Sequence, residues 1–299
     1  MIGDAFALIS ATCFAVANVT IVRGTAPGDE DNGAFVSLLL TTAIAGTGWL
    51  AWGFTHGFPP VTPHAIAWFA GAGVLTAFIG RVFGYACVQV LGAMRASATK
   101  RLNPFFAVAL GVGVLGERLT PGAIAGMLLI VASFALLVVR AAAPAAVAAQ
   151  APVRGARIGY AYGVVSALGY ASGYLLRKMG LAETPDAFFG TMLGTLVGAL
   201  TFVFVGTFNA RYAAAVRGTF SAWRPWLLTA GTMSSFGQIA YFFALREAPI
   251  SRVALITSME VFITIFLGVF FLRRHESLTP AVFVAAVLGF LGTAAIILY

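Results

Sequence analysis

Two ionisable side chains stand inside stretches that are otherwise apolar: Arg81, midway along residues 66–91, and Glu260, midway along residues 250–272. A guanidinium placed there can bind a carboxylate or another anionic group of a small solute, and a carboxylate can bind an amine or carry a proton. A charge at the centre of a bilayer costs about 2.5–3.5 kcal/mol on insertion scales, so its presence calls for a cavity or a partner. Arg81 shares its helical face with Tyr85 and Gln89 at successive i+4 steps, and Glu260 shares its own with Thr257 and Thr264. Such stripes face a cavity or another helix, not lipid. Two readings are open: Arg81 and Glu260 contact a transported solute, or they form a static salt bridge that joins the two halves of the chain. Proton exchange at Glu260 would further require a carboxyl whose pKa is raised by desolvation.

Lys100 and Arg101 enter the stretch 95–115 about one turn inside its start, just before Pro104, where a helix can bend. They suit an anion-attracting mouth to a cavity, although long basic chains near helix ends also snorkel to the interface. Ser10, Phe14 and Asn18 follow i+4 spacing, and so do Ser166, Tyr170 and Tyr174. These ladders suit a cavity wall that recognises amphipathic solutes, and equally suit helix packing through interhelical hydrogen bonds. Ser234, Gln238 and Tyr241 repeat the theme. Glu117 and Glu276 each stand at a turn, followed by Leu-Thr-Pro; Thr can cap the next helix and Pro suits its first position, so both glutamates read as loop-fixing. His56, His64 and His275 read as loop residues without the spacing of a zinc helix. Cys13 and Cys87 read as buried thiols outside any disulfide framework. With no Gly-rich phosphate loop and no Ser-His-Asp order, the residues predict no enzyme, no metal and no cofactor.

Helices must position these groups. The 299-residue chain is 60% hydrophobic and 9% charged, with a mean hydropathy of +0.95, which excludes an ordinary soluble protein. A membrane helix needs roughly 20 mostly apolar residues, and ten stretches qualify: 3–22, 34–54, 66–91, 95–115, 121–139, 158–177, 187–208, 224–245, 250–272 and 280–298. Barrel strands would show short alternating patterns, whereas these runs are continuous. Ala15-Val16-Ala17 imitates a signal cleavage site, but Met1-Ile2-Gly3-Asp4 lacks the basic residues of a signal, so the first stretch is predicted to be a membrane helix.

The ten stretches form a repeat. Gly3, Ala5, Ser10, Ala11, Phe14, Ala15 and Gly24 are answered by Gly159, Ala161, Ser166, Ala167, Tyr170, Ala171 and Gly180, all 156 positions later. Trp68, Ala72, Gly73, Phe78 and Ala86 return 158 positions later as Trp226, Ala230, Gly231, Phe236 and Ala244, and Glu117 to Pro121 returns 159 positions later as Glu276 to Pro280. The predicted units are a first five-helix repeat over 1–140, a flexible Ala- and Pro-rich linker over 141–157, and a second five-helix repeat over 158–299. An odd number of helices per repeat makes the second insert upside down relative to the first, the usual architecture of alternating-access transporters.

The net charge is +8, but the basic residues lie singly between apolar runs and predict no nucleic-acid partner. On the face bearing the N-terminus stand Arg118, Arg177, Lys178, Arg246 and Arg252. On the other stand Arg23, Arg95, Lys100, Arg101, Arg140, Arg154, Arg157, Arg211, Arg217, Arg224, Arg273 and Arg274, twelve against five. Because Lys and Arg collect in cytoplasmic loops, this predicts both termini outside and the linker in the cytoplasm.

Pro104, followed thirteen positions later by Glu117 in Pro-x12-Glu-x-Leu-Thr-Pro, the Gly126-containing fifth stretch, and the echo at Glu276 to Pro280 together resemble the drug/metabolite transporter superfamily, in its ten-helix EamA-like group. The resemblance covers nearly the whole chain, with Ile263 where the first half has Pro104. It implies two bundles facing each other around a central cavity, export of small metabolites or drugs, and coupling to an ion gradient or to exchange. It also implies termini in the cytoplasm, against the charge count. The expected protein is thus an all-α polytopic secondary transporter of a bacterial-type inner membrane, exporting small amphipathic metabolites such as amino acids by alternating access. Its expected partners are the solute, protons and the lipid bilayer, as a monomer or homodimer. The expected contacts are Arg81, Tyr85, Gln89, Lys100, Arg101, Asn18, Phe14, Tyr170, Tyr174, Gln238, Tyr241 and Glu260, with Glu260 as the proton carrier. A passive channel and an intramembrane lipid-modifying enzyme are the alternatives.

Overall fold

A computed structural model describes residues 2–25, 33–91, 99, 102–141, 156–221, 224–272 and 280–298. In the first repeat, α1 is Ile2–Gly24, α2 is Ala34–His56, α4 is Leu102–Leu115 and α5 is Pro121–Ala141. Between them α3 runs as Pro63–Ala72, continues as a π-helix over Gly73–Gly80, and resumes as Arg81–Leu91. In the second repeat, α6 is Ala156–Glu183, α7 is Ala187–Gly206, α8 is Pro225–Glu247 and α10 is Pro280–Leu298, while α9 comes in two pieces, Ile250–Thr257 and Glu260–Leu272. A surface helix, Ala210–Ser221, connects α7 to α8. There is no strand among the described residues, and the chain is an all-α, multi-pass membrane protein.

Among the described residues, five spans are long and apolar enough to cross a bilayer unaided: Ile2–Ile21, Ala34–His56, Pro63–Gly84, Ala187–Gly206 and Ile250–Gly268. Shorter apolar stretches lie in α4, α5 and α10. Besides the surface helix, α6 and α8 fall outside both groups, and both carry polar groups along their inner faces: Ser166, Tyr170, Tyr174 and Arg177 on one, Ser234, Ser235, Gln238 and Tyr241 on the other. Their membrane segments are stabilised by neighbours and not by their own hydropathy, as expected for cavity-lining helices.

Local chemistry sets the ends. Thr62 accepts a hydrogen bond from the Ala65 amide at 3.1 Å with Pro63 in the first helical position, and Thr120 does the same for Ala123 at 3.1 Å ahead of Pro121. Gly116, at φ +66°, takes the left-handed conformation that ends α4. The segment 66–91 predicted from sequence starts earlier, at Pro63, and 158–177 extends from Ala156 to Glu183. Two histidines predicted in loops are helical: His56 closes α2 and His64 sits in the first turn of α3. The predicted loop between the seventh and eighth segments holds the surface helix. Linker residues 142–155, residues 26–32 with Asp29, Glu30 and Asp31, and residues 273–279, with His275 and Glu276, lie outside the described residues.

The repeats interlock and do not stand apart as separate lobes. α1 packs on α8 and α9, and α6 packs on α3 and α4; α2 crosses α7 and α8, α7 crosses α3, and α5 pairs with α10. Small residues permit the close crossings. A Cβ at Gly73 would overlap the Gly194 carbonyl oxygen, and one at Gly126 the Gly292 carbonyl oxygen, the small-residue packing typical of membrane helices. The main core runs through α1, α3, α6, α8 and the first piece of α9, around Phe69, Tyr241, Phe242, Leu245 and Ile256.

A pair of matching contacts fixes the spatial register of the repeat. Ser166 donates to the Gly80 carbonyl at 2.6 Å, and its mate Ser10 donates to the Gly237 carbonyl at 2.9 Å. A methyl at Gly80 would touch the Tyr170 ring at 3.0 Å, and one at Gly237 would touch the Phe14 ring at 3.0 Å. Gly80 and Gly237 are therefore equivalent, at an offset of 157, although Gly73 and Gly231 match at 158. The π-helix between Gly73 and Gly80 accounts for the slip, since it holds one residue more than an α-helix over the same rise. In space the mate of Arg81 is Gln238, not the Ile239 that the sequence offset pairs with it.

Candidate functional site: a polar centre between the repeats

Arg177 on α6 occupies the centre. It is 3% exposed, although it was counted among loop cations from sequence. Its Nη1 donates to Gln238 Oε1 on α8 at 2.6 Å, and its Nη2 donates to Thr76 Oγ1 in the π stretch of α3 at 2.6 Å. The guanidinium carbon stands 4.6 Å from the centroid of the Phe242 ring and 5.3 Å from that of Tyr174, both within cation–π range. Thr76, in turn, donates to the Ala72 carbonyl at 2.8 Å. Among the described residues no carboxylate touches Arg177. A buried cation held only by neutral dipoles and rings is half of an ion pair.

Aromatic side chains enclose it. Tyr174 stacks on Tyr241 at 4.3 Å, and Tyr170 follows at 5.9 Å from Tyr174. The Tyr241 hydroxyl is buried without a hydrogen-bond partner among the described residues, as is the Asn103 Oδ1, and Asn103 neighbours Tyr174. A buried hydroxyl without a partner costs roughly 1–3 kcal/mol, a cost a bound polar ligand removes. Gln238, with its Oε1 engaged by Arg177, keeps its amide hydrogens on the same stretch of α8 as Tyr241. Donors and rings thus converge on one small region.

Arg81 is 5% exposed and donates through Nη1 to Ser37 Oγ on α2. It does not pair with Glu260 among the described residues, so the Arg81–Glu260 salt bridge is not formed there. Glu260 Oε1 accepts from Asn18 Nδ2 at 2.5 Å, linking α9 to α1. The helix around it is interrupted: the amides of Met259 and Phe262 bond three residues back, to Ile256 at 3.1 Å and Met259 at 3.0 Å, and Ser258 Oγ bonds the Leu255 carbonyl at 2.6 Å. This tightened turn places Glu260 at the N-terminal end of the second piece of α9, where a helix dipole favours negative charge.

The expected site residues divide accordingly. Tyr170, Tyr174, Gln238 and Tyr241 surround Arg177. Asn18 and Glu260 form a second polar contact, and Phe14 packs on Gly237. The side chains of Tyr85 and Gln89, and residues Lys100 and Arg101 entire, lie outside the described structure. Arg177, Thr76, Ser37 and Phe242 were missed. The signal for Arg177 was present, since Tyr170, Tyr174 and Arg177 follow steps of four and three along one helical face, but the residue falls at the edge of its hydropathy window.

A second set of polar contacts ties the repeats together at the end that bears the N-terminus. Glu117 accepts from the amides of Ile250 at 2.6 Å and Ser251 at 3.0 Å, and from Ser251 Oγ at 2.6 Å. A carboxylate of the first repeat thereby caps a helix of the second. Arg252 grips Asp4 through Nε at 2.7 Å and Nη2 at 3.0 Å, and also donates to the Ile297 carbonyl at 2.9 Å. Lys178 donates to the carbonyls of Leu245 and Ala248 at 2.6 and 2.8 Å, capping α8. No cluster able to hold a metal ion occurs among the described residues.

Interlocked helices in two repeats around a buried cation are an architecture found among membrane transporters. The family model described as the EamA-like transporter family matches residues 1–139 and again 157–298, and the chain belongs to that family. It is a transporter of the drug/metabolite type and not an enzyme. A solved crystal structure, described only as that of a protein, aligns with a TM-score of 0.69 at 18% identity, covering 98% of this chain and 98% of that one; at this identity the likeness concerns the fold. No curated protein matches the sequence.

Proposed function

We propose that this protein is a secondary carrier that exports small amphipathic solutes bearing a carboxylate, amino acids foremost, by alternating access at the Arg177 centre. The observation that carries the reading is the burial of Arg177 against Gln238, Thr76 and two rings, with no carboxylate beside it among the described residues. A substrate carboxylate completes the ion pair, the Tyr241 hydroxyl donates to it, and the Tyr170, Tyr174 and Phe242 rings take the apolar part. Glu260, with Asn18 beside it, receives an amine or a coupling proton. Arg81, the positional twin of Gln238, adds positive potential on the way in.

The test is counterflow in proteoliposomes loaded with single amino acids and other carboxylates. A carrier accelerates uptake when substrate is present on both sides, and a channel does not. Arg177→Gln is expected to lower that exchange at least tenfold while the protein stays folded; exchange at the wild-type rate in this variant sinks the reading. Coupling is read separately: uptake that follows an imposed pH gradient and loses that dependence in Glu260→Gln supports the proton role, and indifference to the gradient leaves exchange as the driving process.

The orientation with both termini outside, in the inner membrane of a bacterial-type cell, also belongs to this proposal. Removing the buried Arg177 from the charge count leaves four basic residues on the face of the termini against twelve on the other, which strengthens the bias on which orientation depends.

A further inference from the structure

The surface helix Ala210–Ser221 takes no part in the central site, and the first repeat has no counterpart to it: α2 and α3 are joined only by residues 57–62. It carries Arg211 and Arg217 and no acidic residue. One side is anchored. Tyr212, Ala215 and Val216 join an apolar cluster with Phe35 and Leu38 of α2, Phe78 of the π stretch and Phe202 of α7; the Tyr212 ring meets Phe202 edge-on at 5.1 Å and Phe78 at 6.1 Å. Arg211 and Arg217 are exposed. Nearby on the same face, Arg23 stacks 4.7 Å over the exposed ring of Trp226, a residue type that marks the membrane–water boundary. By the sequence count this face has twelve basic residues against four acidic ones, Asp29, Glu30, Asp31 and Glu276, whereas the other, with the buried Arg177 set aside, has four basic against five acidic.

We propose that the surface helix is a docking element for anionic phospholipid headgroups. A short helix with an anchored apolar side and an arginine-bearing polar side, lying at the boundary on the basic face, has the form and charge that attract phosphodiester headgroups. Its anchored side meets Phe78, two residues from the Thr76 that holds Arg177. Headgroup binding therefore steadies the π stretch on which the central site is built.

The experiment uses the whole protein in phosphatidylcholine nanodiscs doped with phosphatidylglycerol, reading retained lipid by native mass spectrometry and the thermal midpoint in parallel. Wild type is expected to retain phosphatidylglycerol and to melt higher as its fraction rises. The Arg211→Gln/Arg217→Gln double variant is expected to retain it about fivefold less per arginine removed. Arg211→Lys/Arg217→Lys, which preserves charge, is expected to behave as wild type and keeps the test valid should the first variant melt early in phosphatidylcholine alone. Three results overturn the proposal: equal retention by the double Gln variant; an equal loss from Arg157→Gln, exposed at the start of α6 on the same face, which would make the attraction a property of the whole face; or equal stabilisation by dissolved glycerol 3-phosphate. The assay reads binding, so its outcome is independent of the carrier reading.

Discussion

At the scale of single residues, Arg177 and Tyr241 make opposite predictions because one already holds hydrogen-bond partners in the protein and the other, among the described residues, does not. Arg177 uses its planar fork to reach Gln238 and Thr76 at once while stacking on Phe242. A lysine offers the charge without the fork or the flat face, so Arg177→Lys is expected to lose transport nearly as fully as Arg177→Gln, measured as counterflow rate per folded protein. The Tyr241 hydroxyl has no partner to lose. Tyr241→Phe is expected to leave the thermal midpoint unchanged or raised, and to raise the half-saturating substrate concentration several-fold, as fits one hydrogen bond of about 0.5–1.5 kcal/mol made only to the ligand. A drop in stability with no change in saturation would show the hydroxyl to be structural. Arg81 and Glu260 were legible in the sequence because each breaks a long apolar run. Their partners, Ser37 and Asn18, were not both legible: Asn18 lies on a recognisable ladder, whereas Ser37 is one small residue in an apolar helix whose role depends on the crossing of α2 with α3.

At the scale of elements, one helix start was read from its cap and another with the same chemistry was passed over. Thr120-Pro121 declares its start through capping that needs no tertiary context, whereas Thr62-Pro63 does the same for a segment that the hydropathy pattern begins only at residue 66. The π stretch in α3 and the break in α9 have no such local code. The first is stabilised from outside, by Ser166 on the Gly80 carbonyl and Arg177 on Thr76, and the second by hydrogen bonds within a buried turn. Glu117 stands between the two cases: its loop-fixing role was predicted, but its object is not its own loop. It caps α9 of the other repeat with three hydrogen bonds. Bonds to a charged acceptor are worth about 1.5–3 kcal/mol each, so Glu117→Gln, which keeps the shape and removes the charge, is expected to lower the thermal midpoint by several degrees. A midpoint within a degree of wild type would mean that water replaces the cap at little cost. Gly73→Ala is expected to be at least as damaging, because its methyl would overlap a backbone oxygen, Gly194 O, that has no rotamer by which to move away.

At the scale of the molecule, interlocked repeats constrain how the site changes sides. In an inverted repeat the opposite-facing state arises when the two halves exchange conformations. A contact between a residue and its own mate maps onto itself and persists, while a contact between unlike positions maps onto a different pair and breaks. Thr42 Oγ1 and Thr195 Oγ1 are 3.0 Å apart, and they are mates: α2 begins at Ala34 and α7 at Ala187, the same 153 positions apart. Glu117 on Ser251 is a contact of the second kind, joining the two repeats at the end that bears the N-terminus. The Thr42→Cys/Thr195→Cys pair, oxidised to a disulfide, is therefore expected to keep counterflow within a few-fold of its reduced form. The Glu117→Cys/Ser251→Cys pair is expected to lose counterflow on oxidation and regain it on reduction. Loss in the first pair, or survival in the second, would mean that the halves do not exchange conformations, and the pseudo-twofold relation would then describe the scaffold without describing its motion.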